Sequence, residues 1–177
     1  MKRLFVLCIV VLGGLYAFAQ TANSLEVYIL DSTGTDTNVR NAPKGQVVDK
    51  LSAKGTWMLV VSKPRNGWWQ INDGVYYDAI PDNSPEGDAF ISLHGSSTGY
   101  WIHYSCIGFG LIGNGSGHTF RAAPDYKAPA VYTSQIDERL HPLELRGKWV
   151  KVATLDGKHT GWITMDIICG NPLTTCP

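Results

Sequence analysis

The sequence predicts an all-β protein built as two small barrels in tandem. Asn38-Val39-Arg40-Asn41-Ala42-Pro43 recurs later as Thr119-Phe120-Arg121-Ala122-Ala123-Pro124. Arg40 stands as far before Trp68 as Arg121 stands before Trp149. Equal spacing over so long a stretch marks two copies of one folding unit. No stretch holds apolar residues at i, i+3, i+4 and i+7 for three helical turns. Short alternating runs between turn residues recur instead, which is the strand signature.

The amino terminus reads as an export signal over residues 1–19. Lys2 and Arg3 precede an unbroken apolar run, Leu4 to Leu12. That run is too short to span a bilayer. Ala17-Phe18-Ala19 is an A-x-A cleavage site, which places the mature start near Gln20 and the protein in the periplasm or outside the cell. Cys8 lies inside the apolar run, so a lipid anchor is not expected. No later segment approaches about 18 consecutive apolar residues, so no membrane span is expected.

What remains after cleavage is enough for one large domain or two small ones, and the repeat favours two. Taking Lys2 and Arg3 from the 15 basic side chains leaves 13 against 15 acidic ones, a net of −2. That balance does not suit non-specific nucleic-acid binding, which needs clustered positive charge. Lys63-Pro64-Arg65, the densest basic cluster, reads as a solvated turn.

The first unit is expected over residues 20–110. Leu25 to Leu30 and Thr56 to Ser62 read as strands. Pro64-Arg65-Asn66-Gly67 is a turn with a strong hairpin signal in Asn-Gly, and Trp68 to Ile71 is the returning strand. The stretch from Trp68 to Trp101 is more than twice as long as the matching stretch from Trp149 to Trp162. The first unit therefore carries an insertion within residues 72–98. The inserted region holds Asp73, Asp78, Asp82, Glu86 and Asp88, with Tyr76, Tyr77 and Phe90 and no Lys or Arg. Loops grafted on rigid scaffolds often carry function, although a solvated decoration is the simpler reading.

Residues 111–117, with Gly113-Asn114-Gly115-Ser116-Gly117, have the composition of a flexible linker, short enough that the two units should touch. The second unit is expected over 118–170. Its strands Trp149 to Ala153 and Gly161 to Ile168 flank the turn Asp156-Gly157-Lys158. Residues 171–177 form a tail. Cys106, Cys169 and Cys176 survive cleavage, so an exported chain has one disulfide and one spare thiol. Cys169 with Cys176 is the preferred local pair across a turn with Gly170 and Pro172. Cys106 with Cys176 is the rival. Cys106 shares strand parity with Ile102 and Tyr104, which reads as a buried thiol.

Val-Arg-x-x-Pro, a Gly-Trp strand and a Lys-x-Thr-Gly-Trp-Ile hairpin together resemble the bacterial SH3 domain. The second copy matches best, with Phe120-Arg121-Ala122-Ala123-Pro124, Gly147-Lys148-Trp149-Val150-Lys151-Val152 and Lys158-His159-Thr160-Gly161-Trp162-Ile163. The first offers Val39-Arg40-Asn41-Ala42-Pro43, Asn66-Gly67-Trp68-Trp69-Gln70-Ile71 and a degenerate Thr98-Gly99-Tyr100-Trp101-Ile102. The resemblance implies two small SH3-like barrels, the first with an inserted long hairpin loop. It also implies non-catalytic modules that engage peptidoglycan or its peptides. The family usually has Gly before the proline, where this chain has Ala42 and Ala123. Alanine resists positive φ, so that turn is expected to differ in shape.

No catalytic set is legible. His94, His103, His118, His141 and His159 show neither H-E-x-x-H nor H-x-x-E-H spacing, and no close Cys/His pairs suggest zinc. Neither cofactor nor metal is expected. Cys106 and His103, three apart on a strand, would fall on opposite faces, which disfavours a thiol nucleophile. Asp31-Ser32-Thr33 reads as an Asx turn rather than a glycosylation site. The Gly-rich run Gly108 to Gly117 lacks the Lys-Ser/Thr of a phosphate loop.

Strand alternation places Trp68, Trp101, Trp149 and Trp162 on the face that otherwise shows polar residues. They are read either as rings packed beneath the Val-Arg-x-x-Pro loops or, with Tyr76 and Tyr77, as an aromatic groove for peptide or glycan. Arg40, Pro43, Arg121 and Pro124 are read as structural, the two arginines anchoring their loops through backbone carbonyls. Two functional readings follow. One is an extracytoplasmic module that binds cell-wall peptide or peptidoglycan. The other is a protein-interaction adaptor or inhibitor that docks an envelope protein through the acidic insertion.

Overall fold

The computed structural model describes residues 24–77, 99–113 and 115–173. Within them the protein is all-β and antiparallel, with no α-helix. The segment read as a signal, most of the insertion, Asn114 and Cys176 lie outside the described residues. No helix among the described residues is long and apolar enough to cross a membrane.

The first half runs β1 (Ser24–Ile29), β2 (Thr37–Arg40), β3 (Val47–Leu51), β4 (Thr56–Arg65), β5 (Trp68–Tyr77) and β6 (Tyr100–His103), then a single 3-10 turn (Tyr104–Cys106) and β7 (Ile107–Gly108). The second half repeats this order with β8 (Gly110–Leu111), β9 (Thr119–Arg121), β10 (Ala130–Thr133), β11 (Leu140–Arg146), β12 (Trp149–Thr154) and β13 (Thr160–Thr164), then a 3-10 turn (Met165–Ile167) and β14 (Ile168–Cys169).

Pairing order repeats as well. One sheet contains β3-β2-β6-β5-β4, and the other is β10-β9-β13-β12-β11, strand for strand the same. In each half the short strand after the 3-10 turn returns to the first strand, β7 to β1 and β14 to β8. The halves part at β1, which also pairs with β4 and extends the first sheet to seven strands. No ladder closes either sheet into a barrel among the described residues, because β3 and β10 remain free edges.

Turn chemistry explains the tight connections. Asn66 (φ 51°) and Gly67 (φ 82°) are both left-handed. This is the type I′ pair that matches strand twist. Strand β4 therefore runs through to Arg65 and pairs it with Trp68. The predicted turn at Pro64-Arg65 thus shrinks to its last two residues. In the β11–β12 hairpin Gly147 is left-handed and Lys148 is not. That is the pattern of a type II′ turn. At its other end β5 continues to Tyr77, so the start of the insertion extends the β4–β5 hairpin.

The two halves share one core. Trp69, Phe109, Phe120, Leu140 and Ile163 are at most 1% exposed and belong to a single cluster of buried residues. Phe109 and Leu140 exchange backbone hydrogen bonds at 3.1 and 3.0 Å. His141 donates from Nδ1 to the Ile107 carbonyl at 2.7 Å. Leu111, at the head of the predicted linker, is buried in β8 instead. Two-residue strands satisfy backbone groups that burial would otherwise leave unpaired.

Candidate functional site

The loop between β2 and β3 spans Asn41 to Gln46, and the loop between β9 and β10 spans Ala122 to Pro129. Arginine holds each of them from inside. Arg40 donates to the Gly45 carbonyl at 2.7 Å, and Arg121 donates to the Ala128 carbonyl at 2.9 Å. Pro43 and Pro124 sit in these loops. Neither Ala42 nor Ala123 is left-handed; the first loop takes its positive φ at Lys44 (60°). Gly45 is confined because a Cβ there would strike the Asn41 side chain, whose Oδ1 accepts from the Gln46 amide.

The second loop is two residues longer, and this decides the fate of the tryptophan beneath it. Tyr126 lies 4.9 Å from the Trp149 ring, with the Lys148 ammonium 4.7 Å from the Tyr126 ring centre. Trp149 is 8% exposed as a result. Trp162 is 6% exposed, with the Arg146 guanidinium 5.2 Å above it. These two rings belong to the packing and offer no open groove. Of the two readings of these rings, packed beneath the loop or lining a groove, their burial under loop and guanidinium fits the first.

Gly45 matches Ala128 as the carbonyl that each arginine holds, so the shorter first loop has no counterpart of Tyr126 in its sequence Asn41 to Gln46, and Trp68 stays half-exposed. It meets the Arg40 guanidinium at 5.7 Å and the edge of His103 at 5.2 Å. His103 meets Tyr104 at 4.5 Å, and Tyr104 meets His141 of the second half at 6.0 Å. Trp101 is half-buried, between Arg40 and Gln70 in register. The rings of Trp68, His103 and Tyr104 thus form one aromatic strip beside Arg40.

Tyr76 does not join it. Trp68 opens β5 and Tyr76 lies near its far end, about 26 Å away in an extended strand. There Tyr76 packs on Trp57 at 4.9 Å. Tyr77 closes β5 in register with Thr56. His103 and Tyr104 escape a reading based on tryptophan alone. The signal that could have found them is the position of His103 and Tyr104 directly after the strand residues that carry Trp101.

Burial, reinforced by the nearby His141, holds the His103 imidazole below its ordinary pKa of 6.5. His103 also caps the 3-10 turn, its Nδ1 accepting from the Ser105 amide. The chain therefore leaves strand geometry at Tyr104, and strand parity does not govern Cys106. Ser105 Oγ stands 2.8 Å from His103 Nδ1 and 4.0 Å from Cys106 Sγ. Burial, with Asp31 adding to it, pushes the Cys106 thiol up, so it stays protonated and is a poor nucleophile.

Cys106 is a free thiol, which removes its pairing with Cys176, and Cys169 is disulfide-bonded. Asp31 accepts from the Thr33 amide and the Thr37 hydroxyl, both at 3.0 Å. The first of these bonds is the mark of an Asx turn.

No family model matches the chain, and no curated protein matches it. Among solved structures it is similar to NlpC2 from Trichomonas vaginalis, at 9% identity and a TM-score of 0.30. The match covers 80% of this chain and 46% of that one, so the chain spans about half the length of the structure it matches.

Proposed function

We propose that the chain is a tandem of two bacterial SH3-like units that works outside the cytoplasm as a non-catalytic binding module for cell-wall peptide or peptidoglycan. The doubled strand order, with a Val-Arg-x-x-Pro or Phe-Arg-x-x-Pro loop over a tryptophan in each half, supports the class. The observation that carries the site is the difference between the copies. Tyr126 caps Trp149, whereas Trp68 stands half-open beside Arg40. An indole offers large contact area with little rotamer entropy to lose, and a guanidinium at its rim suits the carbonyls and carboxylates of a peptide. The fused core holds that strip rigid, which limits the ordering that binding must impose.

The test is retention of the mature protein on purified sacculi. Trp68→Ala is expected to weaken retention by about tenfold, a typical loss for a central aromatic contact. Absence of retention for the unaltered protein sinks the reading. Equal retention of the unaltered and Trp68→Ala proteins moves the site away from this strip.

A further inference from the structure

A cavity of about 570 Å³ opens where the β4–β5 hairpin of the first half meets the β11–β12 turn of the second. Ser24, Ser62, Lys63, Asn72, Leu145 and Gly147 line it. It is separate from the aromatic strip, and none of its lining residues belongs to that strip.

A β-bulge forms one wall. Ser62 pairs with Gln70 and Arg65 with Trp68, so Lys63 and Pro64 together oppose the single residue Trp69. In the second half Glu144, Leu145 and Arg146 oppose Lys151, Val150 and Trp149 one for one. The second half takes its extra residue further from the turn, at Leu143 between Pro142 and Glu144, so the position of the bulge beside the turn is what sets the first half apart. Bulges re-aim side chains, and this one places Lys63 on the cavity. Lys63 takes φ 47° to do so. A residue with a Cβ adopts that left-handed conformation reluctantly. Pro64 adds to the constraint by disfavouring right-handed helical geometry in the residue before it.

The remaining lining is chemically consistent. Ser62 is 4% exposed, and its hydroxyl donates to Asn72 Oδ1 at 2.9 Å. That bond fixes the Asn72 carboxamide and leaves its NH2 as the donor end. Gly147 keeps the backbone bare, with nothing within 4 Å of where a Cβ would stand. Leu145 supplies an apolar wall. Lys63 is the single charged lining residue, and it makes no ion pair among the described residues.

We propose that this cavity binds a carboxylate-bearing ligand of peptide type, with Lys63 paired to the carboxylate, the Asn72 NH2, oriented by Ser62, donating beside it, and Leu145 against a short alkyl group. One lysine among neutral polar groups balances one negative charge. A phosphate dianion favours more cationic charge and the bidentate fork of arginine. Sites between packed units commonly take this form, apolar walls with a few placed polar groups. The proposal does not depend on the aromatic strip.

The experiment titrates the full mature protein, labelled with nitrogen-15, with N-acetyl-alanyl-alanine and separately with its C-terminal amide. The free acid is expected to produce saturable shifts at the amides of Ser62, Lys63, Asn72 and Gly147, with a Kd on the order of millimolar. The amide is expected to bind at least about tenfold more weakly, and Lys63→Met to lose a similar factor for the acid. Lys63→Arg should keep most of the affinity. The same spectra report whether each variant is folded. Equal binding of acid and amide, undiminished binding by a folded Lys63→Met, or no saturable shift at these amides overturns the proposal.

Discussion

Trp69 and Pro142, far apart in sequence, are joined by a buried hydrogen bond in which the indole Nε1–H donates to the proline carbonyl at 3.1 Å. Pro142 has no amide hydrogen to give its strand, yet its carbonyl binds one half of the protein to the other. Trp69→Phe removes the donor and leaves that carbonyl buried without this partner. The expected loss is about 1–3 kcal/mol from the orphaned acceptor, with a further loss from the smaller ring. Urea unfolding followed by near-ultraviolet circular dichroism measures it. Because the core is continuous, the unaltered protein should unfold in one transition. Two separate transitions would show that the halves fold independently.

The Tyr126–Trp149 contact predicts a change that can be read by fluorescence. Tyr126→Ala removes an aromatic pair, so stability should fall by about 1 kcal/mol. Trp149 should become open to acrylamide quenching, bringing the second half closer to the state of Trp68 in the first. Unchanged quenching would show that the loop closes over the indole without the tyrosine.

The joint between the halves should respond to acid. The folded His103 pKa lies below its ordinary value of 6.5. The unfolded chain therefore takes up a proton that the native state refuses as pH falls below that value. By linkage, stability is lost on acidification through this window, and above it the residue contributes no slope. His141, which holds the Ile107 carbonyl, lies near enough to oppose the charge. His103→Gln should flatten the fall in the urea midpoint between about pH 7 and about pH 5. An equally steep fall in the variant would assign the slope to other groups.

Long strands and tight hairpins were legible in the chain because they carry local signals. The Asn66-Gly67 pair is readable since few other dipeptides accept two left-handed residues. The alternation in Trp149 to Thr154 is readable since a strand of that length suffices to show a period of two. Gly110–Leu111 and Ile168–Cys169 are too short to show any period, and glycine masks the first as linker. Their pairing, Ile168 with Leu111 and Cys169 with Gly110, joins segments far apart in the chain and has no local mark. Trp149 and Trp162 follow the same rule. Alternation says which face a side chain takes, but not that Tyr126 and Arg146 will lie over that face.

Lys63 sets stability against the proposed carboxylate site in a way that two substitutions separate. Its φ is 47°. Left-handed backbone strains any residue with a Cβ, by about 1 kcal/mol. Lys63→Gly relieves that strain and should raise the unfolding free energy by about 1 kcal/mol, less the greater entropy glycine loses on folding. Lys63→Ala keeps the strain and deletes the charge, so it should leave stability nearly unchanged. Both remove the ammonium from the cavity, and both should abolish the preference for the free acid over the amide. A gain in stability for glycine with none for alanine would identify the backbone as strained for the sake of where the side chain points. Equal stabilisation by both would instead assign the gain to loss of the charge, and the bulge would then have no role in aiming Lys63.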